Sequence, residues 1–242
     1  MRMRRKKHGA ERISACSDLL ITDYSALHNA PSSCFSTPKK SAPLCLEIGC
    51  GKGDFACGMA EKHPEWNFIA MERVPDVACI ALEKAKAAEE KRPDNLRFII
   101  GDAKNLSEWF PIHSLDRIFL NFSDPWPKSG YKKRRLTYRA FLEVYRNLLK
   151  ENGLLCLKTD NTGLFDFSMD EFEACGLEVL WSTRDLHHSE HADGNVMTEY
   201  ERAFTEKGVP ICAAQVIFTS SQAPSEPVQA PVGTEEDSEK RS

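Results

Sequence analysis

The chain has 242 residues, enough for one domain of ordinary size or one domain with tails. Apolar residues make up 41% and charged residues 28%, so a sizeable core is available. With 32 Lys and Arg against 36 Asp and Glu, the formal charge of -4 excludes a generally basic nucleic-acid coat and leaves local basic patches possible. No run approaches the roughly 18 apolar residues of a membrane span. The opening MRMRRKKHGAERI has no hydrophobic stretch behind its charges, so neither a membrane protein nor a secretory signal is expected. The nine cysteines include no C-x-x-C pair. They read as small buried hydrophobes in a reducing, cytoplasmic setting rather than as a disulfide framework or a zinc site.

In chain order, residues 28–43 (HNAPSSCFSTPKKSAP) read as a linker. Leu44 to Ile48 is a first strand, Phe55 to Lys62 a helix, and Asn67 to Met71 a second strand. Val77 to about Lys91 has helical apolar spacing and ends near Pro93. Leu96 to Ile100 and Leu115 to Leu120 are the third and fourth strands, and Thr137 to Leu149 a helix. Asn152-Gly153 then turns the chain into Leu154 to Lys158. Phe165 to Cys175 is a helix stopped by Gly176, and Leu177 to Trp181 a strand, with Tyr200 to Phe204 and Ile211 to Phe218 as two late strand candidates. Strands alternating with helices predict an α/β fold with a mostly parallel central sheet and helices on both faces. The Pro-, Ser- and Glu-rich end from about residue 220 predicts a disordered acidic tail.

Positive charge is concentrated in two islands. Arg2, Arg4, Arg5, Lys6, Lys7 and Arg12 stand against Glu11 alone, and Lys128, Lys132, Lys133, Arg134, Arg135, Arg139 and Arg146 against Glu143 alone. Two basic islands on an acidic body suit a polyanion that touches one face.

The first strand runs into Glu47-Ile-Gly-Cys-Gly-Lys-Gly53. Gly49, Gly51 and Gly53 let a strand-to-helix turn tighten and approach a ligand closely. Asp54 would be poor beside a pyrophosphate, so the turn suits a ligand without phosphates, such as S-adenosylmethionine. Glu72 ends the second strand, where a carboxylate can accept both ribose hydroxyls. Asp102 follows the third strand and can meet an adenine amino group, while Ala103 leaves room for the ring. Glu47 lies toward the expected amino-acid end of that ligand. After the fourth strand, Asn121-Phe-Ser-Asp-Pro-Trp-Pro-Lys128 is a loop stiffened by Pro125 and Pro127, with Asp124 beside an aromatic ring. His187, His188 and His191 with Glu190 read as a loop bordering the substrate entrance. No metal is expected, because adjacent histidines point their rings apart.

These motifs carry a family likeness. Glu47-Ile-Gly-Cys-Gly-Lys-Gly53, Phe122-Ser-Asp-Pro-Trp-Pro-Lys128 with Lys133-Arg134-Arg135-Leu136, Leu157-Lys-Thr-Asp-Asn161 and Thr198-Glu-Tyr-Glu201 resemble the bacterial tRNA (guanine-N7-)-methyltransferases. The resemblance covers about residues 1–218. It implies a Rossmann-like S-adenosylmethionine-dependent methyltransferase fold over 41–218 after a basic N-terminal extension and linker over 1–40, and leaves the acidic tail over 219–242 outside. It implies methyl transfer to N7 of a guanine in the tRNA variable loop, guanine 46 of the tRNA. Glu47, Gly49, Gly51, Gly53, Glu72, Asp102, Ala103 and Asp124 would meet the cofactor, with Asp124 also at the reacting centre. Lys128, Asp160, Thr198, Glu199, Tyr200 and Glu201 would hold the substrate. Gly130, Tyr131, Lys132, Lys133, Arg134 and Arg135 would lie along the RNA. The family usually has histidine where this chain has Tyr131, so no role that needs imidazole protonation transfers. A cytoplasmic monomer or homodimer with tRNA as partner is expected. The competing readings are a small-molecule methyltransferase, which has little use for two basic islands, and a non-catalytic RNA-binding protein, which would not need Glu72 and Asp102 in register.

Overall fold

The computed structural model describes residues 8–35, 41–87 and 94–218. Most of the N-terminal basic island (1–7), the last part of the predicted helix ending at Lys91, and the expected acidic tail over 219–242 lie outside the described residues.

Seven strands form one sheet: β1 (Leu44–Ile48), β2 (Asn67–Glu72), β3 (Leu96–Ile100), β4 (Leu115–Asn121), β5 (Leu149–Thr159), β6 (Leu177–Thr183) and β7 (Cys212–Phe218). Their order is β3-β2-β1-β4-β5-β7-β6. The first five pair in parallel, and β7 runs antiparallel to both β5 and β6. The central strands are apolar on both faces. In β1, Leu44, Leu46 and Ile48 join one core and Cys45 the other, and in β2, Ile69 and Met71 oppose Phe68 and Ala70. Two buried faces need helices on both sides. Helices α3 (Asp54–Lys62) and α4 (Pro75–Ala87) supply Phe55, Met59 and Leu82 to one face. Helices α5 (Leu106–Trp109), α6 (Arg139–Leu148) and α7 (Thr162–Ala174) supply Leu106, Phe141, Tyr145, Phe165 and Phe172 to the other.

Three stretches differ from the sequence reading. The stretch read as a linker is partly folded: its first two residues end α2 (Tyr24–Asn29), a 3-10 turn spans Pro31–Cys34, and Phe35 is buried. Upstream of it, α1 (Gly9–Ser14) carries Arg12, which forks onto Glu83 of α4, and Ile21 N–H donates to the Phe98 carbonyl at 2.8 Å. That bond covers the edge of β3, which would otherwise expose unpaired backbone groups. Strand β5 begins at Leu149 rather than Leu154. Leu149 pairs with Leu115 and Leu154 with Arg117, so the Asn152-Gly153 turn is a bulge within the strand, with Asn152 at φ +61°. Tyr200 to Phe204, read as a strand, lies in helix α8 (Glu199–Thr205). The overlooked signal was Thr198-x-x-Glu201, a capping box in which each side chain bonds the other's backbone N–H.

The nine cysteines are all free, and six of them are buried. Among the described residues no helix is long and apolar enough to cross a membrane.

Candidate active site

The sheet reverses its order of connection between β1 and β4, and the carboxyl ends of those strands open the crevice in which such sheets bind ligands. The glycine turn starts there. Gly49, Gly51 and Gly53 have φ of +82°, +56° and +81°. At Gly53 a Cβ would meet the Ala81 side chain at 2.9 Å, so glycine is needed for both the angle and the packing of the turn on α4.

The four sheet ends β3, β2, β1 and β4 carry Asp102, Glu72, Glu47 and Asn121 side by side. Asp102 caps a 3-10 turn by accepting from Lys104 N–H at 3.1 Å, and Ala103 behind it is buried. Glu72 accepts from Gly51 N–H at 3.1 Å and from Val74 N–H at 2.9 Å, tying the glycine turn to the end of β2. Glu47 is fully buried. One of its oxygens accepts from Asn121 Nδ2 at 2.8 Å, and the other has no hydrogen-bond partner among the described residues. Burial pushes the Glu47 carboxyl up to about 7, against the opposing pull of the Asn121 bond and the Lys158 charge. Asn121 meets Glu47 because β1 and β4 are adjacent, a pairing that no local pattern around Asn121 signals.

The loop after β4 is stiff and strained. Phe122 and Trp126 have φ of +52° and +41°, rare for aromatic side chains. Phe122 N–H donates to the Lys158 carbonyl at 2.8 Å. Asp124 is exposed, and its carboxylate makes no hydrogen bond or ion pair among the described residues. Lys128 precedes a 3-10 stretch, Ser129–Arg134, on which Tyr131, Lys132 and Lys133 are exposed. The Arg134 guanidinium lies 5.0 Å from the Trp126 ring centre and 4.7 Å from that of Tyr131, and the two rings meet edge to face. Arg135 turns inward instead, donating to the Pro125 and Trp126 carbonyls at 2.9 and 3.1 Å.

The Thr198–Glu201 segment divides between two roles. Glu199 reaches Lys52 of the glycine turn at 2.6 Å, and Tyr200 is 62% exposed. Thr198 and Glu201 are buried and occupied. Glu201 accepts from Lys158 Nζ at 2.7 Å, Asn195 Nδ2 at 2.5 Å and Thr198 N–H at 3.2 Å, with His187 Nε2 at 3.2 Å. That carboxylate is fully enclosed by these partners. Lys158 donates its other two hydrogens to Asn195 Oδ1 and the Val196 carbonyl, each at 2.9 Å. Burial lowers the Lys158 pKa, with Glu201 opposing. Asp160, one residue beyond β5, is half-buried. Of the other histidines, His188 bonds Asp185 and His191 stacks on Trp181. The cleft between these elements is lined by Glu47, Gly49, Gly51, Phe122, Glu199 and Tyr200 among others.

A mostly parallel sheet with a glycine turn, three carboxylates along its edge and a rigid acidic loop defines a Rossmann-like methyltransferase. A family model described as "Putative methyltransferase" matches residues 41–214. The tRNA (guanine-N(7)-)-methyltransferase of Limosilactobacillus reuteri is 46% identical over 211 residues, covering 87% of this chain and 96% of that protein. The enzyme of the same name from Halalkalibacterium halodurans is 40% identical over 222 residues, covering 92% and 98%. This chain belongs to the tRNA (guanine-N7-)-methyltransferase family. Its fold is also shared with the 16S rRNA methyltransferase KamB, at a TM-score of 0.54, 13% identity and coverage of 73% and 88%.

Proposed function

We propose that this chain transfers a methyl group from S-adenosylmethionine to N7 of guanine 46 in the variable loop of tRNA. The observation that carries the reading is the row Asp102, Glu72, Glu47 at three neighbouring strand ends around the glycine turn, next to a strained loop that presents Asp124. The donor set fits the cofactor. The unpaired buried oxygen of Glu47 is an acceptor awaiting a cation, and S-adenosylmethionine carries an ammonium group. Glu72 and Asp102 would take the ribose and adenine, and Gly49, Gly51, Gly53 and Ala103 leave room for close approach. When bound, the cofactor supplies an electrophilic methyl group on a sulfonium.

Guanine N7 bears a lone pair and no proton, so this site needs no strong general base. Its residues have to align the reacting atoms and favour the positive charge that develops on the guanine. The exposed Asp124 carboxylate is suited to the second task. Lys128, Asp160, Glu199 and Tyr200 would hold the guanine nucleotide, while Thr198 and Glu201 fix the helix start that carries Glu199 and Tyr200. The base has to leave its stack to reach the cleft. The aromatic and guanidinium stack of Trp126, Arg134 and Tyr131 offers it a flat surface beside the RNA backbone. Lys132 and Lys133 would meet phosphates.

The test is incubation with unmodified total tRNA and labelled S-adenosylmethionine, followed by cleavage chemistry specific for 7-methylguanine. Label at guanine 46 is expected. Label on another atom or nucleotide, or none in any tRNA, rejects the reading. Within the same scheme, Glu72→Ala should weaken cofactor binding by about 1.5 to 3 kcal/mol, the scale of hydrogen bonds to a charged group. Calorimetry giving wild-type affinity for that variant would remove Glu72 from the cofactor site.

A further inference from the structure

We propose that Arg135, which the basic run places among phosphate-gripping residues, is a positioning residue that holds the Asp124 loop in its reactive shape. The inference rests on the reading of Asp124 as the carboxylate at the reacting centre. Trp126 has φ +41°, a conformation that persists only where the surroundings enforce it. The two peptide planes that set its φ and ψ contain the Pro125 and Trp126 carbonyls. Arg135 donates to both, through Nε at 2.9 Å and Nη2 at 3.1 Å. One planar guanidinium thus fixes both torsions of the strained residue. The guanidinium is itself held 4.2 Å over the Phe167 ring of α7, so the clamp is anchored to the body of the fold. Pro125 has its own φ fixed by its ring, and Asp124 precedes it directly. The clamp and the proline ring together restrict the backbone that carries Asp124.

The neighbouring cations are arranged differently. Lys132 and Lys133 are exposed, whereas Arg135 is half-buried with two donors committed to its own chain. A lysine at 135 would keep the charge and lose the fork, since an ammonium cannot reproduce a rigid pair of parallel donors. That separates the two roles.

The test compares R135K with wild type and with K132A/K133A in the full chain. R135K should keep tRNA affinity within about two-fold and keep its salt slope, because the charge remains. Its single-turnover methylation at saturating tRNA and cofactor should slow by about 10-fold or more, the scale of a misplaced reacting group. Amide hydrogen exchange over residues 122–131, measured without tRNA, should speed up in R135K. K132A/K133A should lower the salt slope by about 2, one for each lost phosphate contact. F167L removes the ring beneath the guanidinium more gently. It should show the same faster exchange and a smaller loss of rate, and it serves in place of R135K if that variant does not fold. A wild-type rate or unchanged exchange in R135K, or in F167L where it stands in, overturns the proposal. If the wild-type chain methylates no tRNA, the functional reading fails while the exchange measurement still decides whether Arg135 clamps the loop.

Discussion

Asp124→Asn should slow single-turnover methyl transfer to tRNA by about 10²- to 10³-fold, the loss typical of removing one preorganised electrostatic group from a reacting centre. The substitution preserves shape and removes charge. The loop around it is stiffened by Pro125 and Pro127, strained at Phe122 and Trp126, and pinned by Arg135. Asn should therefore occupy the same place as Asp. The Asp124 carboxylate is exposed in the free protein, where water weakens its field. A guanine covering it would strip that water away, and a developing positive charge next to a desolvated carboxylate gains far more than in bulk solvent. Binding of tRNA should persist in the variant. The measurement is the single-turnover rate at saturating cofactor and tRNA, with Asp160→Asn as the comparison. A wild-type rate in Asp124→Asn would reject the electrostatic role and leave the loop a positioning function. Loss of cofactor binding would make Asp124 a cofactor ligand first.

Much of this arrangement was legible in the sequence because it rests on short-range rules. Strand β1 and its glycine turn are contiguous, so the turn chemistry, the apolar run and the acidic residues at the next strand ends could be read in one pass. The bounds of β1 and β3 follow directly from apolar runs between turn residues. What escaped depends on long-range adjacency. Arg135 lies ten residues after Pro125, and only the fold of the 3-10 stretch shows that its guanidinium returns to the loop. The motif at Glu201 invites a substrate role, but its partner Lys158 arrives from a strand 43 residues earlier, which only the fold reveals. Helix α8 was missed for another reason. Its seven residues carry no sustained apolar period, and the capping box was the only local signal. The stretch read as a linker has linker composition, but Phe35 within it has a core to join, and burial of that ring outweighs the polar residues around it.

The pairing of Lys158 with Glu201 leads to the largest expected change in stability. Lys158 Nζ sits 2.7 Å from Glu201 Oε2, and the side chains are 10% and 0% exposed. All three Lys158 hydrogens are donated, and Glu201 accepts at both oxygens. Lys158→Met keeps the packing against the Phe55 ring but strands a buried carboxylate, so it should destabilise the fold by about 3 to 5 kcal/mol. For a chain of this size that is a fall in Tm of about 10 °C. Glu201→Met strands the lysine instead and should cost a similar amount. The double variant replaces both charges by apolar groups and should recover most of the lost Tm, because two well-packed side chains avoid the desolvation that the ion pair has to offset. Recovery of stability should not bring recovery of substrate binding. Without Glu201 the N-terminus of α8 loses half its capping box, and without Lys158 the Asn195–Val196 segment loses its tether to β5. Glu199 and Tyr200 would then be displaced from the cleft, so the double variant should melt near wild type while its KM for tRNA rises several-fold. Calorimetric melting and steady-state titration with tRNA check both halves. Single variants that melt within 2 °C of wild type, less than about 1 kcal/mol for a chain of this size, would mean that the pair is hydrated in solution and does not anchor the segment.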